Sequence, residues 1–92
     1  MSDWTFITNH GAVMILIDHH ESITTRELAR ELGITERSII RIINELEAGG
    51  YITRHRRGRS NHYETKRDRL LRRESLREIA VGDLLDALAL KP

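Results

Sequence analysis

The stretch from Thr24 to Thr65, TTRELARELGITERSIIRIINELEAGGYITRHRRGRSNHYET, constrains the fold more than any other part of the chain. Thr24 and Glu27 have the spacing of a capping box, in which each satisfies a backbone amide near the other. Leu28, Ala29 and Leu32 then share one face of a short helix. Gly33 suits the left-handed position that ends it. Ile34 packs into the elbow, and Thr35 caps a second helix. In that helix, Glu36–Ala48, the residues Ile39, Ile42, Ile43 and Leu46 recur at i, i+3, i+4 and i+7 and form a buried stripe. Gly49-Gly50 stops it. Two strands follow, Tyr51–Arg57 and Ser60–Thr65, with a turn at Gly58-Arg59. That turn sets Ile52 opposite Thr65, Arg54 opposite Tyr63, His55 opposite His62 and Arg56 opposite Asn61. Ile52 and Tyr63 then share the face that meets the core. This order of elements is the plan of a winged helix-turn-helix.

The flanks are less sharply marked. Thr5 to His19 reads as a first helix with Phe6, Ala12, Val13, Ile15, Leu16 and Ile17 on its apolar side. Trp4 and Phe6 are expected to pack near its start. His19-His20-Glu21-Ser22 is a polar break, and Ile23 is expected to form a short strand edge beside the wing. From Lys66 onward the chain reads as helical, carried by Leu70, Leu71, Leu76, Ile79, Ala80, Leu84, Leu85 and Leu88. Gly82-Asp83 is expected to break that helix, with Asp83 capping a last short one over Leu84 to Leu90. The expected class is mainly α with a small β-hairpin. A winged helix-turn-helix spans 1–65 and a C-terminal helical segment spans 66–92. At 92 residues the chain has room for one domain and one modest core.

Charge is unevenly spread. Met1 to Thr53 carries a net −4, Arg54 to Arg73 a net +7, and Glu74 to Pro92 a net −2. A basic block on an otherwise acidic chain, placed just after a helix-turn-helix, points to a polyanion-binding surface. Arg side chains make charge-assisted, often bidentate bonds to phosphates and guanine edges. Arg54, Arg56, Arg57 and Arg59, with Asn61, lie on a hairpin that can track backbone and minor groove together. Arg37, Ile40, Arg41 and Asn44 lie on the second helix opposite its buried stripe. Ile40 has two readings, partial burial against a neighbouring helix or contact with a thymine methyl. Thr25, Arg26 and Thr35 stand at helix N-termini, where phosphates are favoured. Lys66, Arg67, Arg69, Arg72 and Arg73 either extend this surface or pair with Glu74, Glu78 and a partner subunit.

Other chemistries find little support. The chain has no cysteine, so disulfides and thiolate metal sites are excluded. Of its five His, His55 and His62 face each other across the hairpin, but a third ligand is poorly placed, and no metal site or cofactor is expected. There is no Gly-rich phosphate loop and no nucleophilic triad pattern, so no enzyme is expected. The longest apolar run, Ala12 to Ile17, is too short to span a bilayer. MSDWTF lacks the pattern of a signal peptide, so a cytoplasmic location is expected.

The motifs WTFITNHG, RELARELGITERSIIRIINELEAGGYITR and GRSNHY, and the ending VGDLLDAL, resemble the small stand-alone variety of MarR-type winged-helix transcriptional regulators. The resemblance covers Trp4 to Leu90. It implies that Arg37, Ile40, Arg41 and Asn44 sit where the family's recognition helix meets DNA. It implies that Arg59 sits where the wing-tip Arg enters the minor groove. Relative to the larger regulators, no long N-terminal dimerisation arm is expected, and the C-terminal part reads as one broken helix. The partners expected are double-stranded DNA and a second copy of the chain, the homodimer contact being carried by Leu84, Leu85 and Leu88. A small-molecule effector is not legible. The competing reading is a winged helix that grips an acidic protein or a folded RNA.

Overall fold

Local capping chemistry decides where three of the four α-helices begin. The computed structural model describes residues 4–20, 22–57 and 60–88, for residues 57 and 60 the backbone alone. The helices are α1 (Asn9–His19), α2 (Thr25–Leu32), α3 (Glu36–Ala48) and α4 (Val81–Ala87), and the strands are β1 (Ile52–Arg57) and β2 (Ser60–Thr65). The capping box between Thr24 and Glu27 forms as the spacing predicts, and Gly33 ends α2 at φ 66°. Thr35 accepts a hydrogen bond from the Ser38 amide and starts α3. The hairpin register is the predicted one throughout, from Ile52 opposite Thr65 to Arg57 opposite Ser60. The Gly58-Arg59 turn itself, Glu21 and Leu90 lie outside the described residues.

One core joins all of these elements. Val13 and Ile17 of α1, Leu28 of α2, and Ile39, Ile42 and Ile43 of α3 are fully buried. Ile52 and Tyr63 close the core from the hairpin, each 2% exposed. The alternation rule explains why these two share a face: their ladder positions have the same parity. Val81 and Leu85 of α4 belong to the same core.

The flanks depart from expectation in four places. First, α1 starts at Asn9, not Thr5, because the Thr8 hydroxyl accepts from the Gly11 amide and caps it. Trp4 and Phe6 therefore lie ahead of the helix. They are 68% and 90% exposed and pack edge-to-face on each other, with ring centroids 5.1 Å apart. Second, Ile23 is buried but makes no strand, since its amide donates to the His20 carbonyl in a turn and is spent there.

Third, residues 66–80 are not one helix. At about 100° per residue, Leu70, Leu71, Leu76 and Ile79 would spread around a helix and share no face. The segment instead folds back on itself. Leu70 bridges Ala80, the Leu71 amide donates to Ile79, and the Val81 amide donates to Arg69. A single 3-10 turn, Glu74–Leu76, sits between. Tyr51 anchors this loop through its hydroxyl, which donates to the Leu70 carbonyl, and through its ring, which lies 5.9 Å from the Arg69 guanidinium. Fourth, α4 begins at Val81 with Ala80 in the cap position. Asp83 thus falls inside the first turn, and Gly82 is a buried helical residue rather than a break.

Candidate nucleic-acid interface

The Gly33 turn sets the angle between α2 and α3, and the Ile34 amide donates back to Ala29 to hold it. Burial of Ile39, Ile42, Ile43 and Leu46 then fixes the rotation of α3 about its axis. Arg37, Ile40, Arg41 and Asn44 follow from that rotation. At about 100° per residue they fall within one arc opposite the buried stripe, and all four are exposed. Ile40 is 47% exposed, so within one chain it is not covered by a neighbouring helix.

The polar groups of this face differ in how committed they are. Arg37 has no partner among the described residues, and neither has Arg26 on α2. Arg41 donates through Nη1 to Glu45 Oε1 at 3.0 Å, one helical turn on. The same oxygen accepts from His10 Nε2 of α1 at 2.9 Å. These bonds, His10 foremost, hold the Glu45 carboxyl below the usual carboxylate range. Asn44 is tied to the hairpin, since Arg54 Nη2 donates to Asn44 Oδ1 and to Glu47 Oε1, both at 2.8 Å. That bond from Arg54 lowers the Glu47 pKa and raises the pKa of Arg54 itself. Arg54 shares the ladder face of Ile52 and Tyr63, so it folds inward onto α3 instead of outward.

At the helix N-termini, the Thr35 hydroxyl accepts from the Ser38 amide and donates to Ser38 Oγ. The Thr25 hydroxyl donates to Glu36 at 3.5 Å. Along the wing, Arg56 is exposed on β1, with half-buried Asn61 opposite it. The Arg57 side chain and Arg59 lie outside what is described.

Part of the second basic group is absorbed within the chain, and through different acids from those the sequence suggested. Lys66 pairs with Glu64 at 2.7 Å. Arg67 pairs with Asp18 at 2.8 Å and with Asp86. Arg69 covers Tyr51. Neither Glu74 nor Glu78 is the partner of these three. His55 and His62 face each other as the register requires, with Ser22 Oγ 3.4 Å from His62 Nδ1. Among the described residues no three His, Asp or Glu come together in a metal-binding group. Three residues of the site escaped sequence reasoning: His10, Glu45 and Glu47. Only the Arg41–Glu45 spacing, four apart on one helix, was a signal that could have found one of them.

A helix-turn-helix with an exposed Arg-bearing face, followed by a basic hairpin packed against it, is now in place. The model of the MarR family matches residues 5–60, more than half of the chain. The chain belongs to the MarR family. No curated protein and no solved structure gives a significant match to it. The family match spans α1, α2, α3 and β1 and ends at the first residue of β2. As a MarR-family winged helix, the protein is a DNA-binding transcription regulator in kind, and such regulators are typically not enzymes. No described helix is long and apolar enough to cross a membrane.

Proposed function

We propose that this MarR-family protein is a sequence-specific, homodimeric transcriptional regulator that lays α3 in the major groove of duplex DNA. The observation that carries the reading is the exposed arc of Arg37, Ile40 and Arg41 opposite the buried stripe of α3. Arg37 and Arg41 offer forked donors to base edges or phosphates, and Ile40 offers an apolar surface to a thymine methyl. Arg26 and the N-terminal residues Thr25 and Thr35 face the phosphates beside them. Arg56, Arg57, Arg59 and Asn61 form the wing that follows the backbone into the minor groove. Arg54 has a different part: bonded to Asn44 and Glu47, it sets the hairpin against α3 and holds Asn44 for use.

Residues 1–65 are the DNA-binding unit in this reading, and 66–92 supply the dimer contact. Leu85 is buried within its own chain, so that contact rests on Leu84 and Leu88. Occupancy of a near-palindromic site by the dimer then blocks or recruits polymerase in the cytoplasm. Selection of bound duplexes from a random pool, with folded RNA as competitor, tests the function. A recurrent near-palindromic site is the expected result. Failure to enrich any duplex, or equal retention of RNA, would overturn it.

A further inference from the structure

Two elements converge on Glu45. His10 reaches it from α1, and Arg41 reaches it from the preceding turn of α3, both at the single oxygen Oε1. An ionised carboxylate only accepts hydrogen bonds, so His10 Nε2 carries the proton in this contact. The second anchor matters. An exposed i, i+4 ion pair alone is loose and rearranges freely. Held from α1 as well, the Glu45 carboxylate becomes a fixed feature at the border of the Arg41 face.

The guanidinium is used on one side only. Nη1 of Arg41 meets Glu45, while its Nε and Nη2 have no partner among the described residues. Those two nitrogens are one of the forks that can meet a pair of acceptors such as guanine O6 and N7. The charge of Arg41, in contrast, is already balanced. Capture by a phosphate depends on that charge, and bonding to a base edge depends mainly on the fork.

We propose that Glu45, anchored by His10, is a specificity-determining residue of the recognition helix: it balances the charge of Arg41 while leaving the Nε–Nη2 fork open, so that Arg41 discriminates between base edges instead of capturing phosphates indiscriminately. This rests on the duplex-binding reading above. The device is repulsive in character, weakening the wrong complexes more than the right one.

Binding of the full chain to its selected duplex and to a scrambled duplex, each across a salt series, tests the proposal. Glu45→Gln is expected to tighten scrambled binding about two- to fivefold, the span of one exposed ion pair. Its salt dependence should steepen by about one counterion. The selected duplex should gain less, so the ratio between the two falls. In an Arg41→Ala background the same Glu45→Gln change should leave that ratio unmoved, because the charge it balances is gone. Glu31→Gln, which removes an equal charge from α2, should not alter the ratio. Full persistence of the effect without Arg41, an equal effect from Glu31→Gln, or an unchanged ratio in Glu45→Gln would each overturn the proposal while wild-type duplex binding stands. A wild-type chain that prefers no duplex would overturn the duplex reading itself, and the proposal with it.

Discussion

Arg67 and Gly82 hold each other by reciprocal bonds: the Gly82 amide donates to the Arg67 carbonyl at 2.7 Å, and Arg67 Nη2 donates to the Gly82 carbonyl at 3.0 Å. The approach is close because Gly82 has no side chain. A Cβ there would stand 2.7 Å from both the carbonyl oxygen and the Cβ of Arg67. The same guanidinium reaches Asp18 at the end of α1 and Asp86 in α4. Through this one residue the end of the hairpin is stapled to α1 and to the C-terminal helix.

Gly82→Ala separates two opposed effects. Ala is the better helix former by about 1 kcal/mol. Forcing a methyl against a backbone oxygen costs about 1–3 kcal/mol, and the oxygen cannot swing away without breaking its bond to the Gly82 amide. Net destabilisation is expected in a urea melt. A rise in melting midpoint would show that α4 is not docked on Arg67 in this way.

Tyr63 and His62 are neighbours on opposite faces of β2. Tyr63 is 2% exposed and packs in the core. Tyr63→Ala should cost about 3 kcal/mol or more, in the range of other large aromatic truncations. His62→Ala should cost under about 1 kcal/mol. Equal losses in thermal melts would contradict the register.

What was legible in the sequence was local. Thr24, Gly33 and Thr35 act within four residues of themselves, and the α3 stripe is a property of one helix. The register needed only the turn position and the parity of Ile52 and Tyr63. Glu47, and the second anchor on Glu45, were hidden for the opposite reason. Arg54 reaches back to Glu47 across the helix–hairpin boundary, and His10 reaches Glu45 from 35 positions away. No periodicity encodes either contact. The segment 66–80 departs from the helix expectation because its leucines suggest a helix by composition, while their spacing gives no common face. Trp4 and Phe6 pack on each other ahead of α1 and stay exposed; aromatic character alone does not say what covers a ring.

Acid should loosen the hairpin from α3. Arg54 holds the Glu47 carboxyl below its ordinary value of 4.5. A carboxyl with a depressed folded pKa binds protons better when unfolded. Its contribution is therefore complete above about pH 4.5 and is lost as pH falls through the folded value. Glu47→Gln should be less stable than wild type at neutral pH, with the gap closing on acidification. A gap that stays constant from neutral pH down to acid would mean that the Arg54–Glu47 pair contributes nothing.

Arg37, which has no partner among the described residues, stands at the start of the exposed arc of α3. If it meets a base edge, Arg37→Ala should cost about 1–3 kcal/mol on the selected duplex and relax preference at one position. If it meets a phosphate, the loss should be uniform and the salt slope should drop by about one. Unchanged affinity for every duplex would remove Arg37 from the interface.

The two neighbours Leu84 and Leu85 divide the roles of the C-terminal helix. Leu85 is 3% exposed and belongs to the core, whereas Leu84 is 36% exposed at the edge of an open apolar cleft of about 240 Å³. Ile7, Met14, Leu71 and Leu88 line that cleft as well. Leu85→Ala should thus cost about 2–5 kcal/mol and act on folding. Leu84→Glu should cost a monomer less than Leu85→Ala does, because a glutamate at this cleft edge can turn its carboxylate out to water. It should abolish a dimer formed through this face, because the charge would then be buried without a partner. Duplex affinity should fall with it, since each monomer reads only a half-site. Sedimentation at micromolar concentration checks this directly. A wild-type monomer, or a dimer that Leu84→Glu leaves undisturbed, would remove α4 from the dimer contact and leave the recognition helix where it is.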